Sequence, residues 1–423
     1  MKSLITYIWK HKLPGKKGLQ TTSGEPLEIL DYGQQEKGVP NMFRNGMVSI
    51  NGKIMRGDII LSADTKADAD KPQSCNTILH VTLCTGHCDK PEHNTLCIHC
   101  PDGLEEEFIA VAGQREKFPC QKSVAGLSRL QLHSYLSRLL IERIEEKAVT
   151  ARKFLERSNS KWEEAFTRML IRSFGFGIQS NAFEEWAECL DLHAIGKHSD
   201  NTAQVEAILF GQAGLLDEES IPYYYKESAR NSQYLSTLQR EYKFLENKFM
   251  LKKLKHSIWN FGNSTPHVRI ARIAAIIEKG EFSLTNVCDA ETITDLYKIL
   301  DAPLEGYWQN HTCFGGTETV GNGNLTPRHA DIIIINAIVP MLYVYGKYRK
   351  DERLCNKAED FLHWIKGEEN SITKRWKANG VPVDCAADSQ AVIQLHKRYC
   401  TGNNCIECCF SYRYIKDRIA EIL

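Results

Sequence analysis

The chain has 423 residues, of which 42% are hydrophobic and 25% are charged. This length predicts more than one domain, because a single core stops growing at about 250–300 residues. Lysine plus arginine equals aspartate plus glutamate at 53 each, so no global basic field attracts nucleic acid. Binding of a polyanion must therefore depend on a local basic patch.

Targeting and membrane signals are weak in this sequence. The apolar run at residues 4–9 is too short for the core of a secretory signal. The longest apolar run, residues 332–344, is interrupted by Asn336 and Pro340 and is shorter than a membrane span. We therefore expect a cytoplasmic protein with no membrane partner. Its 15 cysteines, an odd number, indicate reduced thiols or metal ligands rather than a disulfide framework.

Residues 1–122 have the pattern of strands and turns. Asn51-Gly52 suits a two-residue hairpin turn, because both positions need positive φ, and it joins predicted strands at residues 47–50 and 53–61. Residues 77–83, rich in branched side chains, predict a third strand. Further predicted elements are a leading helix, a solvated loop and a fourth strand, at residues 3–11, 63–74 and 107–112.

Residues 84–100 are dense in potential metal ligands, but only Cys97 and Cys100 have the C-x2-C gap of zinc knuckles. If residues 95–99 form a strand, alternate side chains face opposite ways and cannot all reach one ion. Scattered thiols on a hairpin are therefore the favoured interpretation, with a zinc site as the alternative. The potential ligands are Cys84, His87, Cys88, His93, Cys97, His99 and Cys100.

The hydrophobic period changes from two to about 3.6 near residue 123, which predicts helices from there onward. Residues 330–345 are apolar all round and predict a central buried helix, kinked by Pro340. We predict an α+β fold with a small β-rich domain at residues 1–122 and a large helical domain at residues 123–423. The clearest helical stripe is Tyr234, Leu235, Leu238, Tyr242, Leu245 and Phe249.

Helix start signals accompany this change of period. Ser160 with Glu163 predicts a capping box, and Asn181 with Glu184 repeats the signal. Asn201 is a good N-cap for the helix that follows it.

The end of the chain carries the most compact cysteine motif. Its C-x4-C-x2-C run, followed directly by one more cysteine, lets one metal ion or cluster collect several thiolates. We predict a metal site here. Zinc is the simpler choice and an iron–sulfur cluster the alternative, while structural thiols without a cofactor compete with both. Bound zinc would tie the last helix to the helical domain. The ligands are Cys400, Cys405, Cys408 and Cys409, with Cys385 and His396 as other candidates for the fourth position.

His198 and Glu206 form a candidate catalytic pair, because a histidine and a carboxylate can share acid–base work. Orienting the start of a helix is the structural alternative for the same two residues. The sequence lacks the nucleotide-binding, zincin and serine-hydrolase motifs, so those activities have no signature here.

Basic residues supply the candidate contacts to nucleic acid. Lys374 and Arg375, next to Trp376, could hold a phosphate against an aromatic face, although a solvated helix end is the plainer interpretation. Arg269 and Arg272 are the other candidates.

Sequence blocks spread over almost the whole chain carry a resemblance to one family. They include K-H-S-D-N-x-x-Q-V-E-A-I-L-F-G-Q-A-G-L-L from Lys197, P-H-V-R-I-A from Pro266, I-I-I-N-A-I-V-P from Ile333, N-S-I-T-K-R-W from Asn370 and D-S-Q-A-V-I-Q-L from Asp388. These blocks resemble the uncharacterised family called domain of unknown function 2851, which has no assigned activity. Its N-terminal pattern is similar to the core of PD-(D/E)xK nucleases, in which two carboxylates hold Mg²⁺.

This chain departs from the nuclease-like pattern at both carboxylate positions. Asn41 stands where the resemblance puts the aspartate, and Ile60 where it puts the glutamate. An amide and an isoleucine cannot replace two metal-binding carboxylates, although Asp58 shares a strand face with Ile60 and could serve a rewired site. The family is also arginine-rich where this chain has residues 259–266, which contain no arginine.

We therefore predict a catalytically inactive, nuclease-like scaffold that associates with nucleic acid. The alternative is a structural or interaction protein with a metal-stabilised tail and no substrate. A metal-dependent hydrolase that uses Asp58 and nearby carboxylates is the least favoured hypothesis.

Overall fold

The computed structural model describes residues 2–14, 18–36, 39, 41–62, 76–84, 94–99, 124, 126–176, 179–254, 266–317, 325–401 and 407–410. The chain divides into two compact units. The first comprises Met1–Tyr135, Arg375–Val381 and Ile393–Leu423, and the second Leu136–Lys374 and Pro382–Val392. A β-rich N-terminal region precedes a large helical region, so the α+β class is confirmed. The predicted boundary at residue 122 lies outside the described residues.

The first unit contains one mixed sheet. Within the described residues it has seven strands in the order β1-β2-β4-β5-β6-β7, with β3 beside β4. Strands β4 and β5 pair antiparallel, whereas β6 pairs parallel with β5 on one side and with β7 on the other. The strands are β1 (Leu19–Gln20), β2 (Pro26–Asp31), β3 (Gln34–Gln35), β4 (Met42–Ile50), β5 (Lys53–Ser62), β6 (Thr77–Cys84) and β7 (Thr95–His99).

The predicted hairpin and third strand are confirmed. Asn51 and Gly52 have φ of 49° and 79°, and β4 and β5 pair on either side of them. The leading helix is also present, as α1 (Lys2–Lys10), and its Trp9 Nε1 donates to the Tyr32 carbonyl at 3.1 Å. The predicted loop at residues 63–74 and the predicted fourth strand at residues 107–112 lie outside the described residues.

Alternation along β5 and β6 places a row of buried apolar side chains on one face of the sheet. Ile59 and Leu61 on β5 are buried with Leu79 and Val81 on β6, and they form the core with α1. Because successive strand residues face opposite ways, Asp58 lies on the other face of the sheet.

The helical region follows. Its helices, in chain order, are α2 (Arg129–Arg157), α3 (Trp162–Ser173), α4 (Ser180–Cys189), α5 (Leu192–Gly196), α6 (Thr202–Gln212), α7 (Lys226–Arg230), α8 (Gln233–Phe249), α9 (Pro266–Lys279), α10 (Leu284–Asp289), α11 (Ile293–Leu300), α12 (Pro327–Arg349), α13 (Glu352–Trp364), α14 (Ser371–Ala378) and α15 (Ala386–Gln394).

Helix α12 is the predicted central buried helix. Pro340 does not break it. Instead a π turn at Ile334–Ile338 precedes the proline, which has no N–H to donate to the Asn336 carbonyl. Among the described residues α12 is the one helix long and apolar enough to cross a membrane, but 72% of its apolar window is buried inside the structure. A buried core helix passes the same test of length and composition.

The two predicted capping boxes are wrong, because the acidic residue of each binds elsewhere. Glu163 accepts a hydrogen bond from the Leu284 backbone N–H at the start of α10, 3.1 Å from each carboxylate oxygen. Glu184 instead forms ion pairs with Lys153 and Arg172, each at 2.7 Å. Partners distant in sequence therefore outcompete the local cap.

The predicted N-cap at Asn201 is confirmed. Its side chain accepts a hydrogen bond from the Gln204 backbone N–H at 3.2 Å and opens α6.

Candidate functional site

Helix α9 carries two buried arginines on one face. Arg269 and Arg272 are three residues apart, which places them one above the other on the helix, and only 9% and 8% of their surfaces are exposed. The Arg269 guanidinium donates to the Phe174 carbonyl at 3.0 Å and to the Gln179 side-chain oxygen. These bonds fix the position of its charge.

The first turn of α12 brings further basic side chains to the same place. His329 stacks on the Phe176 ring with centroids 4.5 Å apart, and the Arg269 guanidinium carbon lies 5.8 Å from the centroid of that ring. Thr326 caps the helix by accepting from the His329 backbone N–H at 3.3 Å. We call Arg269, Arg272, Arg328 and His329 the basic cluster. Its two α12 residues are exposed, whereas its arginines on α9 are buried.

Burial is the main influence on the pKa values of the basic cluster, and like charge adds to it at His329. Burial lowers the pKa of Arg269 to about 10 and also lowers the pKa of Arg272, which the charge of Asp301 partly offsets. Although His329 is exposed as a residue, its ring is partly desolvated where it stacks on Phe176, which lowers its pKa, and the neighbouring arginine charges lower it further. A negatively charged ligand would relieve this repulsion, so the arrangement suits an anion.

A pocket of about 240 Å³ adjoins the basic cluster. Pro327 and Ala330 line it from the helical turn that also carries Arg328 and His329. On its other side it is lined by Asp301, whose charge acts on Arg272.

A second group of candidate functional residues surrounds Glu206 on α6. The Tyr234 hydroxyl and the Trp308 indole N–H, the latter at 3.0 Å, both donate to its carboxylate. Burial raises the pKa of Glu206 to about 7, although the two donors act in the opposite direction. The carboxyl therefore gains and loses its proton near neutral pH.

His267 lies in the same aromatic surroundings. Its ring centroid is 5.2 Å from that of Phe314 and 6.2 Å from that of Trp308. Burial lowers the pKa of His267 to about 3, so the ring is neutral, and its Nδ1 atom has no hydrogen-bond partner.

The predicted pairing of His198 with Glu206 is not assembled in the described contacts. His198 Nε2 lies 3.5 Å from Lys248 Nζ, and its ring meets the edge of Phe249. Glu206 binds Tyr234 and Trp308 instead. Of the two residues, Glu206 is the one whose surroundings suit proton transfer.

The positions of the nuclease-like pattern lie on adjacent strands. Asn41 Nδ2 donates to the Leu61 carbonyl at 3.4 Å, and Ile60 pairs with Met42 across β4 and β5. Asp58 is buried at the start of the β5–β6 pairing. In the part of the chain that the structure describes, no group of three or more His, Cys, Asp or Glu side chains is arranged to hold a metal ion.

Lys374 and Arg375 lie on α14, apart from the basic cluster in the sequence and on a different helix. Both are exposed. Trp376, the ring proposed to support a phosphate, is buried and packs on Phe410 with centroids 5.7 Å apart. Its ring faces are therefore engaged in core packing.

The cysteine motif at the end of the chain is only partly described. Cys408 is buried, and Cys400 and Cys409 are partly buried and reduced, while Cys405 lies outside the described residues. Of the other candidate ligands, Cys385 donates to the Asp388 carboxylate at 3.2 Å. The contacts place Ile393–Leu423 in the unit that contains the sheet. Zinc and an iron–sulfur cluster stay predictions.

The earlier segment at residues 84–100 is also only partly described. Cys97 is disulfide-bonded there, which differs from the reduced thiols or zinc ligand expected from the sequence. His87, Cys88, His93 and Cys100 lie outside the described residues.

Comparison with known proteins gives the family. A profile described as "Protein of unknown function (DUF2851)" matches residues 2–371. The chain belongs to this family. No curated protein and no solved structure matches it. Membership of DUF2851 confirms the resemblance of the sequence blocks, but the comparisons contain no evidence for a nuclease-like core, which stays a prediction.

Several residues of the candidate site were not identified from the sequence. Arg328 and His329 follow a Gly- and Asn-rich stretch, and Thr326-Pro327 before them is the helix-start signal that could have placed them on a helix. Gln179 and Trp308 carry no local signal, because each acquires its role from a partner far away in the chain.

Proposed function

We propose that this DUF2851 protein is a cytoplasmic, nucleic-acid-associated protein without nuclease activity. Its helical unit would contact the phosphate backbone through the basic cluster. The observation that carries this proposal is the placement of four basic side chains together, with Arg328 and His329 exposed and Arg269 and Arg272 buried beside them.

The arrangement of the basic cluster supports this role. Arg328 and His329 are exposed and can reach phosphate oxygens, while Arg269 and Arg272 add charge from beneath them. Buried charges act across a medium of lower dielectric than water, so their attraction for an anion is screened less. Because the net charge of the chain is zero, attraction to a polyanion must come from a place such as this one.

The absence of nuclease activity is supported by the sheet. Asn41 and Ile60 stand at the two carboxylate positions that the sequence pattern implies, and Asn41 is bonded to the β5 backbone. Asp58 alone does not supply the two adjacent carboxylates that phosphodiester hydrolysis with Mg²⁺ needs. Incubation with labelled DNA and RNA in Mg²⁺ or Mn²⁺ should leave both intact. Cleavage that Asp58→Ala abolishes would contradict this part of the proposal.

Arg328→Ala should weaken binding of a fluorescent oligonucleotide about tenfold at low salt. It should also reduce the slope of log affinity against log salt by about one, because one phosphate contact is lost. Fluorescence anisotropy over a series of salt concentrations measures both quantities.

Arg349→Ala is the matched control, since it removes the same charge from the exposed last turn of the same helix. That position is about 30 Å away along the helix axis. Equal loss of affinity in the two variants would show non-specific attraction and contradict a phosphate site at the basic cluster. Absence of binding by the wild type at low salt would remove the proposed function.

Binding should also strengthen as the pH falls from about 8 to about 6. The pKa of His329 lies below its usual value in the protein without ligand, so the ring is neutral at neutral pH. A bound phosphate stabilises the protonated ring and raises this pKa, so binding takes up a proton. Anisotropy titrations across this range should give a steeper pH dependence for the wild type than for His329→Asn. An identical dependence in both proteins would exclude His329 from the site.

A further inference from the structure

The pocket beside the basic cluster has the size of a small ligand. Its volume of about 240 Å³ is below the roughly 300–1,000 Å³ of pockets that enclose drug-sized molecules. Leu300, Leu325, Pro327 and Ala330 give it apolar walls, and Tyr297 contributes an aromatic ring. Such walls suit a flat, weakly polar group.

Polar side chains at the pocket can recognise the edge of such a flat ligand. The Asp301 carboxylate accepts hydrogen bonds, while Thr294 and Lys298 can donate them. All three are exposed. Apolar walls combined with donors and an acceptor match the faces and the edge of a nucleobase.

The pocket is held in shape before any ligand arrives. The Tyr297 hydroxyl donates to the Asp331 carboxylate at 2.6 Å, which joins α11 to α12. Lys279 Nζ donates to the Lys298 and Asp301 carbonyls at 2.6 and 3.0 Å, which fixes the end of α11. A site already formed loses less conformational entropy on binding.

We propose that this pocket receives one unstacked nucleobase whose adjoining phosphate lies at the basic cluster, so that the ligand is single-stranded nucleic acid. This inference rests on the proposed function, because the phosphate contacts come from the same cluster. A base inside a duplex is paired and stacked and cannot enter a side pocket without being extruded. The Asp301 carboxylate favours adenine, cytosine or guanine, whose exocyclic amino groups each offer two N–H donors, over thymine or uracil, which offer the ring imide N–H alone.

The test compares three labelled ligands by fluorescence anisotropy. They are a single-stranded oligonucleotide rich in adenine and cytosine, an abasic oligomer of the same length and charge, and the duplex form of the first. The single strand should bind on the order of tenfold more tightly than either of the others, because it alone of the three gains the stacking of one base in the pocket.

Ala330→Leu fills the pocket from α12, where Ala330 is a buried wall residue, and should remove the advantage of the base-bearing strand. The affinity for the abasic oligomer should not change. Ala378→Leu, at an exposed position at the end of α14, is the matched control. Asp301→Asn is a second variant that leaves the walls intact, and it should reduce the preference for adenine and cytosine over thymine.

The outcomes separate this inference from the proposed function. Equal affinity for base-bearing and abasic strands, with both weakened by Arg328→Ala, would overturn the base pocket and leave the phosphate site standing. Duplex binding as tight as single-strand binding would also overturn it. No binding of any of the three ligands at low salt would overturn both.

Discussion

Glu206→Gln should stabilise the protein by about 3 kcal/mol at pH about 8 and change its stability little near pH about 4. Burial raises the pKa of Glu206 to about 7 in the folded protein, well above that of a glutamate in the unfolded chain. The amide of glutamine is neutral at every pH, so it avoids the ionisation of a buried carboxyl. Urea unfolding of both proteins across this pH range measures the difference.

The direction of the change in stability with pH follows from the raised pKa of the folded state. A carboxyl with a raised folded-state pKa adds stability that is fully present below its unfolded pKa of about 4.3 and is lost as the pH rises through about 7. The wild type should therefore lose stability between these values, and the variant should not show this loss. Glu227→Gln, at an exposed position, is the matched control and should follow the wild type. If Glu206→Gln also follows the wild type, Glu206 does not hold a proton near neutral pH.

Gly211→Ala should destabilise the protein by about 2–3 kcal/mol. Helices α6 and α8 pack closely at this point, and a Cβ atom on Gly211 would overlap the ring of Tyr242. Tyr242 is itself buried, so its ring cannot move aside without disturbing the core. The midpoint and slope of urea unfolding check this prediction.

The control is Gly196→Ala at the end of α5, where an added Cβ would meet nothing within 4 Å. This change should alter stability by no more than about 1 kcal/mol, with a gain expected from the better helix propensity of alanine. A Gly211→Ala protein as stable as the control would show that α6 and α8 can separate at little cost.

The fold was predictable from the sequence where local patterns decide it. Asn51-Gly52 set the hairpin because positive φ at both positions is a local requirement. The stripe on α8 predicted its buried face, which Leu235, Leu238 and Leu245 form. The predictions of capping boxes failed where a partner distant in sequence binds the acidic side chain. Glu163 binds the start of α10, which no spacing around Glu163 reveals.

The candidate site was less predictable, because its residues meet only after the helices pack. Arg269 and Arg272 were recognisable as basic residues on one helix, but His329 reaches them from the start of α12 through Phe176. Glu206 was singled out near a helix start, yet its character comes from burial against Trp308, which lies 102 residues further along. A pKa shift that arises from burial has no signature in the sequence around the residue.

The first unit is formed by segments from both ends of the chain, which has a consequence for folding during synthesis. Phe410 packs against Tyr135 and Trp376, with ring centroids 5.7 Å apart in both pairs. The unit that contains the N-terminal sheet therefore also includes residues that leave the ribosome long after it. Domains usually fold in the order of their synthesis, but here the second unit can finish first. Until then the first unit lacks the packing of Phe410 on Tyr135 and Trp376, so it is incomplete while the rest of the chain is synthesised.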